Sequence, residues 1–402
     1  MRRRSMIVGS GLSIVAAASR AQPAAGPPLR IGVLTDMTTQ YSDLNGRGAV
    51  VAAQMAAEDF GGPVLGRKLE ILSADMQGKV DVGLALARNW YDSNGVDAII
   101  DIPNSGLALA VQDLAQQKGR AMIATASSSD ITGVRCVPNG LQWGGTSYSL
   151  GAAPAREVLA AGGKTWFFIT VDYAFGQALE RDTAAVVQSD GGRVVGAVRH
   201  PFDTTDFSSY LLQAQSSGAS VIAFANTGDN LNNSLKQAAE FGLSASGKTL
   251  VGLAQTVTNL HAIGLESAGG MVFTSPWYWD ATDATRTFAR RWGERVGGGR
   301  KPDRLHVANY SIVSQYLKAA IAANSTEPPA VLAAMRSMPV NDIYTQSGQV
   351  LANGALSFDW FVLKAKQPNA SRGEWDLAEV VRSVPASQAV QAAEASGCRP
   401  AR

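Results

Sequence analysis

The sequence predicts an α/β fold of two doubly wound parallel-sheet lobes, and three observations predict it. Short runs rich in Val, Ile, Leu and Phe alternate with helical stretches of about 10–14 residues, the rhythm of βαβ units. That rhythm passes through four strands and restarts near Trp166. The chain is also 402 residues long, too long for one ordinary domain and enough for two full cores.

The expected strands are Arg30–Thr35, Leu69–Ala74, Ala98–Asp101 and Ala121–Ala124, then Thr165–Thr170, Arg193–Val198, Val221–Ala225, Leu250–Leu253 and Met271–Thr274. Their continuous apolar character suits strands covered on both faces. Helices are expected over Gly48–Asp59, Val82–Ser93, Leu107–Lys118, Leu150–Ala161, Phe175–Ser189, Phe207–Ser216 and Leu231–Phe241. Several end at glycines such as Gly61, Gly119 and Gly242, where a left-handed cap is favoured. From Thr282 to Arg336 the pattern turns mainly helical. Val350–Lys364 and Trp375–Val381 then read as a β-hairpin.

Arg2, Arg3 and Arg4 precede an apolar stretch from Met6 to Ala18, and small residues Ser19 and Ala21 flank Arg20. This is the pattern of a secretory leader, residues 1–21, with an apolar run well short of the ~20 residues that span a bilayer. The whole chain carries 35 Lys and Arg against 33 Asp and Glu; cleavage after Ala21 would leave 31 against 33. A near-neutral, slightly acidic protein is not expected to bind nucleic acid.

Catalytic motifs are scarce. Gly242–Thr249 (GLSASGKT) has the spacing of a phosphate-binding loop, but it follows a helix and precedes a strand. That order is the reverse of the one that aims helix N-terminal amides at phosphate. No G-x-S-x-G elbow occurs, and His200, His261 and His306 are widely spaced. No metal, no cofactor and no enzymatic activity are expected. Only Cys136 and Cys398 could form a disulfide in an oxidising compartment. Pairing would tie the C-terminal tail to a loop of the first lobe and contribute roughly 4–5 kcal/mol by loop entropy; the alternative is two free thiols.

Several stretches together resemble the leucine/isoleucine/valine-binding family of type I periplasmic solute-binding proteins of ABC transporters. They are Ile31–Asp36, Tyr41–Gly46, Glu58–Gly62, Asp75, Asn104-Ser105, Met122–Ser129 and Asp172–Gly176, in family order and spacing over Leu29 to Val381. The resemblance implies two lobes joined by three crossovers and closing on a small ligand. Lobe one would comprise residues 29–146 and 277–348, lobe two 147–276 and 349–383, with a tail over 384–402. It also implies a monomer that docks on a membrane permease from the periplasm. Rival readings are a sensory ligand-binding domain of the same fold and an exported α/β hydrolase.

The expected site lies at strand-to-helix turns on the carboxyl edges of the sheets. Asn104, Ser105, Ala126, Ser127 and Ser128 stand there, and the family matches imply that the serines hold a ligand carboxylate. Asn226 and Gln255 follow strands of the second half, and Trp143, Tyr148, Tyr173, Phe175 and Tyr278 offer flat apolar surface. Amino-acid-binding members place an acid after the strand matching Leu250–Leu253, whereas this chain has Ala254-Gln255. Burying an ammonium without a carboxylate is costly. The expected ligand is therefore a small carboxylate with an apolar or aromatic body; a branched-chain or other amino acid is the alternative.

Overall fold

The computed structural model describes residues 26–399 apart from Ser244, so the expected leader lies outside the described residues. The first half builds β1 (Leu29–Thr35), α1 (Gly46–Phe60), β2 (Leu69–Asp75), α2 (Val80–Asp92), β3 (Ala98–Asp101), α3 (Ser105–Lys118), β4 (Ala121–Ala124) and β5 (Gly140–Gln142). The five strands form one parallel sheet in the order β2-β1-β3-β4-β5. β3 and β4 are wholly buried, as strands covered by helices on both faces must be. The three-residue β5 was not expected, because GLQ carries no apolar run.

The second half repeats the pattern with α4 (Ser147–Ala160), β6 (Thr165–Val171), α5 (Ala174–Ser189), β7 (Arg193–His200), α6 (Ser208–Ser216), β8 (Val221–Ala225), α7 (Gly228–Glu240) and β9 (Thr249–Gly252). These strands form a parallel sheet, β7-β6-β8-β9. The phosphate-loop look-alike is the turn between α7 and β9, where the Lys248 ammonium donates to the Ala219 carbonyl at 2.7 Å. Short helices α8 (Val257–Ile263) and α9 (Leu265–Ala268) lead to β10 (Val272–Ser275).

The chain then supplies α10 (Asp283–Val296), α11 (Arg304–Ala322) and α12 (Pro328–Ser337). α10 and α11 pack on α1, whose Gly48, Ala49, Ala52 and Ala53 are buried, and small side chains let the backbones approach closely. The Trp292 indole donates to the Gly48 carbonyl at 3.0 Å and locks that contact. This packing carries the start of α11 to the edge of the first sheet.

The last strands are β11 (Pro339–Val340), β12 (Gly348–Val350), β13 (Leu356–Ser357), β14 (Trp360–Ala365) and β15 (Ala378–Val384), before the one-turn α13 (Ala386–Ala389). Two expectations are corrected here. β12 pairs with β11 and β13 with β12, and Ala355 bridges Gln142 of β5, so this small sheet is linked to the first sheet. The hairpin is confined to β14 and β15, and it binds β10 in an antiparallel sheet of its own. Cys136 and Cys398 form a disulfide with a Cα–Cα distance of 5.5 Å, fastening the tail beside the first sheet.

Candidate ligand site

The carboxyl ends of β1, β3 and β4 face those of β6, β8 and β9 across a narrow cleft. Tyr41, Leu44 and Asn45 reach it from the loop after β1, Pro103 from the turn after β3, and Thr125, Ala126 and Ser127 from the turn after β4. Tyr173, Phe175, Thr227 and Ala254 line the opposite wall, and Arg304 and Leu305 enter from the first turn of α11. The end of β3 is shaped by two left-handed residues, Asp101 at φ 74° and Ile102 at φ 50°. A β-branched residue is strained there, and such strain persists where the surroundings fix it, commonly at binding sites.

Four of the sequence-expected residues line this cleft: Ala126, Ser127, Tyr173 and Phe175. The others do not line it, and most have polar atoms engaged elsewhere. Asn104 caps α3, its Oδ1 accepting from Leu107 N at 3.0 Å. Ser105 Oγ accepts from Ser128 N at 3.2 Å, and Ser128 Oγ accepts from Asp130 N at 3.4 Å. These two serines therefore shape the β4 turn and do not line the cleft. Trp143 is fully buried, its indole donating to Ser311 Oγ at 3.0 Å. Arg156 donates to the Tyr148 hydroxyl at 3.3 Å, and Tyr148 does not line the cleft either.

Asn226 Nδ2 meets His200 Nε2 and Ser234 Oγ, both at 3.3 Å, inside the second half. Gln255 is buried beside Ala254, and neither end of its amide has a partner among the described residues. Tyr278 donates to the Ala378 carbonyl at 3.0 Å and lines a separate hollow with Trp277 and Tyr344.

The sequence reading missed Arg304. Arg304 is 3% exposed, lines the cleft, and donates through Nη1 to the Gly144 carbonyl at 2.8 Å. Nε has no partner, and among the described residues no carboxylate lies within ion-pair distance. The adjacent Asp303 caps α11, accepting from Leu305 N at 3.3 Å, and burial pushes its carboxyl above the usual range. A cation in the first turn also opposes the helix dipole, a signal visible in the sequence once Asp303 is read as the cap. Buried charge of this kind requires a counter-charge, which an anionic ligand in the cleft would supply.

The two walls touch. The Tyr41 and Tyr173 hydroxyls are hydrogen-bonded across the cleft, and burial raises both phenols, so each stays a neutral hydroxyl. Gln40 donates to the Phe202 carbonyl at 3.3 Å and accepts from Asn230 N at 3.1 Å. A Cβ on Gly228, which has φ 58°, would lie 2.1 Å from the Gln40 carbonyl, so only glycine admits this approach. Arg181 of α5 donates to Ser129 Oγ at 2.6 Å and pairs with Asp130 at 3.1 Å. The cleft is thus closed over by contacts from both sides.

Residues 28–373 match the family model of the periplasmic binding proteins. The chain belongs to this family. A periplasmic binding protein from Burkholderia mallei is 38% identical, with a TM-score of 0.89 over 92% of this chain and 98% of that one. A branched-chain amino acid ABC transporter periplasmic ligand-binding protein from Burkholderia xenovorans LB400 is 37% identical, TM-score 0.82, over 92% and 99%. Among curated relatives, the Leu/Ile/Val-binding protein BraC3 of Rhizobium johnstonii is 26% identical over 78% of this chain and 85% of its own length. A more distant structure, a Rhodopseudomonas palustris solute-binding protein in complex with 4-hydroxybenzoate, shares the fold at 20% identity and TM-score 0.80, over 89% and 97%. The type I fold expected from the sequence is the fold observed.

Proposed function

We propose that this periplasmic binding protein captures a small aromatic or other apolar carboxylate and delivers it to an ABC-transporter permease. The observation that carries this reading is Arg304, a buried cation facing the cleft with an unpartnered Nε and no carboxylate within ion-pair distance among the described residues. A ligand carboxylate would complete it with charge-assisted hydrogen bonds, the strong kind in a water-excluded site. Tyr41, Tyr173 and Phe175 supply the flat apolar surface for the ligand body.

The names of two relatives favour branched-chain amino acids as a second reading. Against it, no acidic side chain lines the cleft to meet an α-ammonium. Asp101 lies beneath the lining: its Oδ1 is held by Asn45, Thr125 and Asn309, and its Oδ2, buried without a partner, does not line the cleft. In the proposed cycle, ligand loads on the Arg304 side first. Hinge closure then brings Tyr173 and Phe175 over it, forming the contacts of Tyr41, Gln40 and Arg181. The protein would act as a monomer in the periplasm after loss of the leader near Ala21.

A thermal-shift panel at pH 7 tests the reading. Benzoate or phenylacetate at about 100 times Kd should add about 2.7 kcal/mol of stability, while leucine and valine should add none. Stabilisation by leucine or valine with none by aromatic acids would overturn it.

A further inference from the structure

Asn45 stands immediately before α1, where an asparagine normally turns its carbonyl oxygen onto the helix amides. Here the side chain makes no such cap. Its Nδ2 instead donates to Asp101 Oδ1 at 2.6 Å and to Thr125 Oγ1 at 3.1 Å. The same carboxylate oxygen accepts from Thr125 Oγ1 at 2.8 Å and from Asn309 Nδ2 at 2.9 Å. A carboxylate oxygen only accepts, so it draws the Asn45 Nδ2 toward it and repels the Asn45 carbonyl, which sets the orientation of the amide. Asn45 Oδ1 is therefore directed away from Asp101. It has no partner among the described residues, although the side chain has no solvent exposure and lines the cleft.

The cleft thus offers two unmet polar groups of opposite kind: the donor Nε of Arg304 and the acceptor Oδ1 of Asn45. We infer that Asn45 is a specificity-determining residue whose Oδ1 accepts a hydrogen bond from the ligand body. The acid bound here would then carry a neutral donor, a ring hydroxyl or an aromatic amine, in addition to its carboxylate. This rests on the function proposed above and names its substrate class. Asp101 is a positioning residue in this arrangement. A site that buries an acceptor for a ligand donor discriminates against the analogue lacking it, because the acceptor is then left desolvated and unpaired.

Calorimetric titration of the full chain with benzoate, 3-hydroxybenzoate, 4-hydroxybenzoate and 4-aminobenzoate tests the inference. At least one donor-bearing acid should bind about tenfold or more tightly than benzoate, the hydroxy and amino arms separating the two donor types. Asn45→Leu should reduce that preference to about twofold or less, reading one lost neutral hydrogen bond. Asn45→Ser, which stays polar but is too short to reach either Asp101 or the ligand, should do the same if the leucine variant does not fold. Asn309→Ala removes another donor to Asp101 without touching the cleft and should keep the preference. Benzoate binding as tightly as every analogue, or a preference that survives both Asn45 variants or falls equally in Asn309→Ala, would overturn the inference while leaving the proposed function standing. Binding of no aromatic acid at all would overturn both.

Discussion

The two walls of the cleft are built differently. On the first-sheet side, Asn45, Thr125 and Arg304 are buried polar groups tied to Asp101 and Gly144, at the starts of α1 and α11 and the end of β4. On the second-sheet side, Tyr173, Phe175 and Ala254 present mostly apolar surface on the turns after β6 and β9. Charge and most of the hydrogen bonding come from the first wall, which also carries Tyr41, Leu44 and Pro103, while the second contributes mainly area. In the proposed cycle the first wall decides which ligand is held, and the second decides how well it is enclosed.

Removing the charge should break this contrast most strongly. Arg304→Met is expected to weaken carboxylate binding by about 30-fold or more, since truncating one partner of a buried charge pair costs about 2–5 kcal/mol. The melting temperature of the unliganded protein should hold or rise, because an uncompensated buried cation has been taken away. Calorimetry and a thermal melt on the same sample check both halves. A variant that loses stability and affinity together would make Arg304 a structural residue.

The disulfide tests whether stability and recognition separate. Cys136→Ser with Cys398→Ser opens a closure of 262 residues, and up to about 5 kcal/mol should be lost on the chain-entropy account. Neither residue lines the cleft, so ligand affinity should stay within about twofold, where 1.4 kcal/mol would be tenfold. Urea unfolding and calorimetry read the two quantities.

Acid should weaken the polar wall through His306. Burial, and then the Arg300 charge, hold this imidazole down at about 3, whereas the unfolded side chain titrates near 6.5. Between these values the unfolded chain binds a proton that the folded protein does not. The contribution is therefore fully present above about pH 6.5 and is lost as pH falls toward 3. The stability of the wild type relative to His306→Gln should decrease on moving from pH 7 to pH 4, read from urea midpoints; an unchanged difference would contradict it.

Trimming the apolar wall should have the smallest effect. Tyr173→Ala is expected to weaken an aromatic acid by about 1 kcal/mol beyond the loss of buried area, and an aliphatic acid by less. Titration of benzoate and hexanoate against the variant separates the two.

Much of the fold was legible because its strands are continuous apolar runs closed by small or polar residues. β6 (TWFFITV) and β8 (VIAFA) stand out from their surroundings in any reading of the chain. The same transition from apolar to polar marks Ala126, Ser127, Tyr173 and Phe175 as residues at strand ends. Asn104, Ser105 and Ser128 occupy similar turns, but composition does not reveal that their oxygens are taken up by backbone amides. Trp143 and Tyr278 have the right chemistry and point into the protein.

Arg304 and Asn45 were harder to find, because they meet only through the packing of α11 on α1, elements far apart in sequence. A local signal existed for each. Arg304 is a cation in a first turn, and Asn45 is an asparagine at a helix start whose cap is unused.

The central claim is that Arg304 makes the cleft a carboxylate site. Competitive calorimetry with benzoate and its neutral isostere benzamide tests it directly, because the two differ mainly in charge. Benzoate should bind about 30-fold or more tightly than benzamide, the scale of a buried charge pair, with the difference falling below tenfold in Arg304→Met. Equal affinities in the wild type, or a preference for benzoate that Arg304→Met leaves intact, would contradict it.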